Sequence, residues 1–330
     1  MDVSHSFTIL GNGVAGLTVA AEMTRRGATV KMIDPAGAPG SHACSWWAGG
    51  MLAPECESVV AERSIVSHGR GAAGWWAAQG AEVVRNGTLV VALGRDRGEL
   101  TTFARRVRNA RWLDAEGIGE LEPALNDRFG RAVFIPDEAH IDPRASIATL
   151  HRSLGEMDVP FLVDGDADGE IIDCRGLAAA DRLGDLRGVK GEVVMVRSAD
   201  VEFSRPVRML HPRFPLYVVP RGDGVFFLGA TQIESGQRGR PSVRSVMELL
   251  NAAFALHPAF GEAEILEIGA DARPAFPDNL PRIRHDRDRI YVNGLFRHGF
   301  LLGPALARMT ADLLLHGSRP EAWYEDRRER

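Results

Sequence analysis

The opening of the chain constrains its fold more than any other stretch. Phe7-Thr8-Ile9-Leu10 is a short apolar run that stops at glycine, as a buried strand does. Gly11-Asn12-Gly13-Val14-Ala15-Gly16 follows. Leu17 to Arg26 then reads as a helix, with Leu17, Ala20, Ala21 and Met23 at helical spacing and Gly27 at its end. Thr29-Val30-Lys31-Met32-Ile33 is a second strand, and Asp34 closes it. Strand, glycine turn, helix, strand, acid is the dinucleotide-binding arrangement, and each part has a physical reason. Gly11 permits the tight turn, Gly13 lets the backbone approach a pyrophosphate, and Gly16 lets the helix lie against the strand. The helix amino end, with Val14 and Ala15, offers unpaired N–H groups to the phosphates. Asp34 can accept hydrogen bonds from both ribose hydroxyls. No arginine directly follows it, so a 2′-phosphate is disfavoured. The motif alone does not separate NAD from FAD.

Composition narrows the rest. The chain has 330 residues, a soft prior of about two domains. Net charge is −5, with the basic residues scattered, so nothing points to nucleic acid or an anionic membrane. Met1 to Phe7 carry no Lys or Arg, and the apolar stretch after them is broken by Gly11, Asn12 and Gly13, so no signal peptide is expected. No run reaches the ~18 apolar residues of a membrane-spanning helix. Cys44, Cys56 and Cys174 are sparse and lack CxxC spacing. Reduced thiols, a cytoplasmic home and no metal site are the expectation.

Ser45-Trp46-Trp47-Ala48-Gly49-Gly50-Met51-Leu52-Ala53-Pro54 is small, glycine-rich and apolar. Such a loop lets backbone N–H groups approach a flat ring or a phosphate; the alternative is a packed turn whose tryptophans supply core. Ser45 either bonds a phosphate or caps a helix. Three later segments stand out: Leu216 to Gly224 continuing to Gly229-Ala230-Thr231, Ala272-Arg273-Pro274-Ala275-Phe276-Pro277 running on to Pro281, and Asn293-Gly294-Leu295-Phe296-Arg297-His298-Gly299-Phe300-Leu301-Leu302-Gly303-Pro304. Ile141-Asp142-Pro143-Arg144 is a weaker fourth. In this order and combination they resemble the D-amino-acid oxidase and glycine oxidase superfamily of FAD proteins, most of all the glycine oxidases that serve thiamine biosynthesis.

The resemblance implies an α/β (α+β) protein with a Rossmann-like FAD-binding domain and a sheet-rich substrate domain over the flavin. The expected division is 1–80, 130–185 and 270–330 for FAD, with 81–129 and 186–269 for substrate. It implies oxidation of glycine or another small amino acid, with hydride passing to flavin N5 and then O2 becoming H2O2. Such enzymes need few catalytic side chains, because the flavin does the redox chemistry. A carboxylate clamp is therefore sought. Arg273, in the Arg-Pro segment that resembles the family's carboxylate-binding arginine, is the first candidate, since guanidinium matches carboxylate with two parallel hydrogen bonds. Tyr217 is second and Arg297 third; the bland readings are a core aromatic and salt bridges. The cofactor set is Gly11, Gly13, Val14, Ala15, Gly16, Asp34, Ser45, Ala48, Gly49, Gly50, Met51, Gly176, Arg297, His298, Gly299, Phe300, Leu301 and Leu302. The helix after His298 would turn its amino end to the N1–C2=O edge of the flavin. No cysteine stands near Arg273 in sequence, so FAD is expected to be noncovalent. A D-amino-acid or sarcosine oxidase, an amine dehydrogenase with another acceptor, and a noncatalytic FAD- or NAD-binding partner are the rival readings, and homo-oligomers occur among relatives.

The middle of the chain reads as further strands and helices. Val83-Val84-Arg85 and Thr88-Leu89-Val90-Val91 flank Asn86-Gly87, a hairpin signal. Arg221-Gly222-Asp223-Gly224 is a second. Ile171 to Ala178 resembles the flavoprotein strand that ends in a small-residue turn near the cofactor, but with Cys174 and Arg175 in it. Arg175 either holds an anion or is a surface charge. The segment 155–170 is shorter than the family's usual insert, with Phe161-Leu162-Val163 left as a strand near the adenine.

Overall fold

The computed structural model describes residues 6–211 and 215–328, with the side chain of Arg97 left out. The first five residues, read above for leader character, lie outside the described part. Ser6–Leu10 is an interior strand of a seven-stranded sheet. Its order is Tyr324–Asp326, Arg282–Asp286, Arg289–Asn293, Glu170–Asp173, Ser6–Leu10, Thr29–Ile33, Phe161–Leu162. The last five run parallel. Leu10 stands level with both Ile33 and Asp173, so three strands end together at one edge. That edge is where an open α/β sheet binds ligands.

The first helix spans Val14–Arg25, starting before Leu17 because extended Gly13 is already its N-cap and accepts from Leu17 N–H at 3.0 Å. It packs on the C-terminal helix Gly299–His316 so closely that a Cβ at Gly303 would stand 3.3 Å from Thr18 Oγ1. The core between these helices, helix Pro143–Glu156 and the sheet contains Ile9, Leu17, Leu150 and Leu302.

A nine-stranded sheet forms the second layer. Its order is Ile233–Glu234, Arg187–Arg197, Val225–Gly229, Leu216–Pro220, Val207–Leu210, Thr88–Ala92, Arg131–Ile135, Arg111–Asp114, and Glu264–Ala275 pairs with Arg187–Arg197. Helix Val243–Leu256 buries Leu249, Ala253 and Leu256 against one face. Two strands fall across the expected division: Arg131–Ile135 was placed with the FAD segments, and a boundary at 270 cuts Glu264–Ala275, yet both pair in this sheet.

One hairpin is corrected. Arg221 to Gly224 does join two antiparallel neighbours, but Asn86-Gly87 does not. Val84 exchanges backbone hydrogen bonds with His140 instead, at 2.9 and 3.0 Å. Thr88–Ala92 pairs antiparallel with Arg131–Ile135 and parallel with Val207–Leu210. All five of its residues are buried, so it is a central strand that takes partners on both edges, and distant segments outcompete the local turn. Among the described residues no helix is long and apolar enough to cross a membrane.

Candidate active site

A cavity of about 520 Å³ lies between the sheets and is lined from both. Its first end is built by the opening turn. Gly11 has φ +100, and a Cβ there would sit 2.9 Å from the Cys174 carbonyl oxygen. A Cβ at Gly16 would stand 1.9 Å from the Gly11 oxygen, so Gly16 lets the helix close on the turn itself. Gly13 differs, because a Cβ there would meet only Ser45 Oγ, at 3.5 Å, and would otherwise enter the cavity. The helix has no side-chain cap and no acid in its first turn; Val14 N–H finds Ser45 Oγ at 3.4 Å. Asp34 accepts from Asn12 N–H at 2.7 Å and Ala36 N–H at 3.0 Å, which fixes its carboxylate at the cavity wall. A helix amino end without a side-chain cap, beside a rigid carboxylate, fits the pyrophosphate and ribose of FAD. Within the short segment 155–170 the expected strand forms as Phe161–Leu162, without Val163, and Leu162 O accepts from Asp34 N–H at 2.9 Å.

The middle of the cavity is lined by Ala48, Gly49, Gly50 and Met51, and by Gly176. Arg221, read in sequence only as a turn residue, holds this loop: it donates to Gly49 O at 2.8 Å and Ala48 O at 3.4 Å. Burial pushes its guanidinium down to about 10. Gly299, Phe300 and Leu301 line the cavity at the second uncapped helix end, behind the N-cap His298. Leu302 is fully buried in the core and does not reach the wall; it directly follows Leu301 but lies on the packed face of the helix. Arg175 lines the wall, but its guanidinium is locked to Asp173 at 2.7 Å and Asp181 at 2.9 Å. It is an internal salt bridge and no free anion holder.

The cavity also brings together Tyr217 and Arg273 from the nine-stranded sheet, Thr231 and Gln232 from the connection between its strands Val225–Gly229 and Ile233–Glu234, and Glu57, Arg297 and His298. Arg273 sits on Glu264–Ala275, level with Val189. Its Nη1 donates to Thr231 O at 3.2 Å, and no carboxylate among the described residues is within ion-pair distance. Asp271, two residues earlier, is held by Arg238 at 2.6 Å. Gly191 makes room, since a Cβ there would lie 2.0 Å from Arg273 Nη2. Burial pushes the Arg273 guanidinium down to about 10, which leaves it charged at neutral pH. Cys44, distant in sequence, lines the same cavity within reach of Arg273's field, and burial pushes its thiol up to about 11.

Arg297 also lines the cavity, but its guanidinium is ion-paired with Glu57. His298 Nε2 lies 2.9 Å from the same Glu57 oxygen. Burial works against the Glu57 carboxylate, but Arg297, His298 and Arg208 outweigh it and hold the group well below the usual carboxylate range. Sequence reading missed Glu57. Its signal was the acid pair Glu55 and Glu57 in the helical turn Pro54–Glu57, just past the glycine-rich loop.

Behind Glu57 lies a second buried carboxyl. Glu138 Oε1 accepts from Cys56 N–H at 2.7 Å. Burial pushes Glu138 up to about 7, against the pull of Thr88, Cys56 and Arg208. The folded chain thus keeps a proton that the unfolded chain sheds near 4.5, so this contribution to stability is full below that pH and is lost as pH rises through about 7. Glu138→Gln is expected to flatten the fall of Tm between pH 5 and 7 (both limits approximate). A slope equal to that of the wild type would show that Glu138 is ionised in the fold.

Comparison with known proteins agrees with this fold. Residues 6–313 match the FAD dependent oxidoreductase family, DAO. An oxidoreductase of Rhizobium etli named for thiamine biosynthesis, ThiO, is 51% identical over 311 residues, covering 92% of this chain and 95% of its own. A glycine oxidase of Bacillus licheniformis is 26% identical, covering 96% of this chain and 95% of its own. The glycine oxidase structure of Geobacillus kaustophilus shares the fold, with TM-score 0.79, 23% identity and coverage of 97% and 96% of the two chains.

Proposed function

The chain belongs to the family of FAD-dependent oxidoreductases, and from that premise we propose that it oxidises the amine of glycine or another amino acid of similar size. The observation that carries the reading is Arg273, a cavity-facing guanidinium without a carboxylate partner among the described residues. A buried cation in that state suits an anionic ligand. Arg273 and Tyr217 hold the substrate carboxylate. Arg297 acts through Glu57, which stays ionised and offers the amine a negative neighbour. The glycine-rich loop and the two helix ends hold the cofactor. When bound, FAD supplies the two-electron acceptor. The domain division follows the two sheets.

The amine and its α-carbon lose two electrons and two protons to become an imine, and O2 takes up both to become H2O2. For glycine, water then releases glyoxylate and ammonia, or the imine serves thiazole synthesis; the name of the Rhizobium etli relative supports that role. Three unpaired cysteines suit a cytoplasmic setting.

An aerobic assay tests the reading. Glycine is expected to yield peroxide and, without a thiazole synthase, ammonia in equal amounts. Amine consumption without peroxide would point to a dehydrogenase with another acceptor. FAD is held noncovalently in this reading, so denaturation should release all of it into the supernatant. Colour that stays with the denatured chain would contradict this and point to the Cys44 thiol.

A further inference from the structure

A buried guanidinium normally brings a carboxylate with it. Arg208 does not. It lies on Val207–Leu210, only 5% exposed, and among the described residues no carboxylate is within ion-pair distance. Its Nε has no hydrogen-bond partner. Its Nη1 donates to the Cys56 carbonyl at 2.9 Å. The guanidinium stacks on two rings, 5.1 Å from the centre of Phe103 and 5.0 Å from that of Tyr217. Tyr217 is also its direct neighbour across the strand pair.

These contacts converge on the cavity from behind. Cys56 precedes Glu57, and its backbone is held at both ends, its N–H donating to Glu138 and its carbonyl accepting from Arg208. The field of Arg208 also favours the charged form of Glu57. Nothing in the fold alone calls for a cation here, since an apolar side chain would pack between Phe103 and Tyr217 without the cost of a buried charge.

We propose that Arg208 is a positioning residue: one guanidinium sets the Tyr217 ring by stacking and the Glu57 carboxylate through the Cys56 carbonyl. The inference rests on the reading of Tyr217 and Glu57 as substrate contacts.

The test uses the FAD-loaded wild type, Arg208→Met and Arg208→Lys. Glycolate, a carboxylate of glycine's size without an amine, is titrated against the flavin absorption spectrum. Arg208→Met should keep its FAD but bind glycolate about tenfold more weakly, with KM for glycine rising in step and kcat changing less. Arg208→Lys keeps the charge and loses the flat stack, so it should fall between, at about threefold. A crystal structure of the FAD-loaded Met variant should show the Tyr217 ring and Glu57 displaced. Wild-type glycolate affinity in both variants would overturn the proposal, as would an unmoved Tyr217 and Glu57. Should the Met variant fail to fold, the Lys titration and structure decide the matter by the same criteria. A wild type that binds no glycolate would instead undo the substrate reading, and the positions of the two side chains would still decide what Arg208 does.

Discussion

Arg273→Met is expected to lower kcat/KM for glycine by about a thousandfold while the enzyme stays yellow. The guanidinium faces the cavity with a single backbone acceptor, Thr231 O at 3.2 Å, which leaves the rest of its fork for the substrate carboxylate that the proposed function assigns to it. Truncation removes two parallel charge-assisted hydrogen bonds in an enclosed site, a loss of about 4 kcal/mol. Lysine should recover little, because a point charge cannot reproduce the fork. FAD retention should not change, because Gly11, Gly13 and Asp34 reach the cavity from the seven-stranded sheet and Arg273 from the nine-stranded one. Gly191→Ala gives an independent check. Its Cβ would stand 2.0 Å from Nη2 and must push the guanidinium aside without removing its charge. A large loss of kcat/KM in both variants places the carboxylate at Arg273. Turnover at the wild-type level in Arg273→Met would remove it from the site.

Gly13→Val is expected to give a folded, colourless protein. The space around Gly13 explains why the fold survives, since a Cβ meets only Ser45 Oγ at 3.5 Å. The branched side chain would instead occupy the region in front of the uncapped helix end, where the proposed function puts the pyrophosphate. FAD content per chain should fall from near one to near zero, with far-ultraviolet circular dichroism unchanged. Gly16→Val is the contrast, for its Cβ would sit 1.9 Å from the Gly11 oxygen. That variant should lose the fold together with the flavin. A Gly13→Val protein that purifies with full FAD would refute the placement of the pyrophosphate.

What was legible in the sequence was local. The turn from Phe7 to Asp34 is one continuous unit whose glycines and acid each do their work within about thirty residues, and the structure forms it with the helix start moved to Val14. Tyr217 and Arg273 were legible only by resemblance, because nothing in their neighbours reveals a cavity. What was not legible depends on long-range pairing. Asn86-Gly87 carries a sound turn signal, yet Thr88–Ala92 finds better partners in distant strands. Arg175 stood open between an anion and a surface charge, and its pairing with Asp173 and Asp181, both local in sequence, depends on the turn that follows the strand Glu170–Asp173. Glu57 meets Arg297 across 240 residues of sequence, and no periodicity reports such a pair. Cys44 shows the same limit, since it is remote from Arg273 in sequence and shares its cavity.

The most direct test of the central claim is anaerobic mixing of the yellow protein with glycine, sarcosine and D-alanine in turn, following the flavin absorbance. Bleaching by at least one of these amines, with glycine effective, is the expected result, and admission of air should restore the colour with peroxide. If none of the three bleaches the flavin, the FAD-binding fold stands and the assignment of a small amino acid as substrate is wrong.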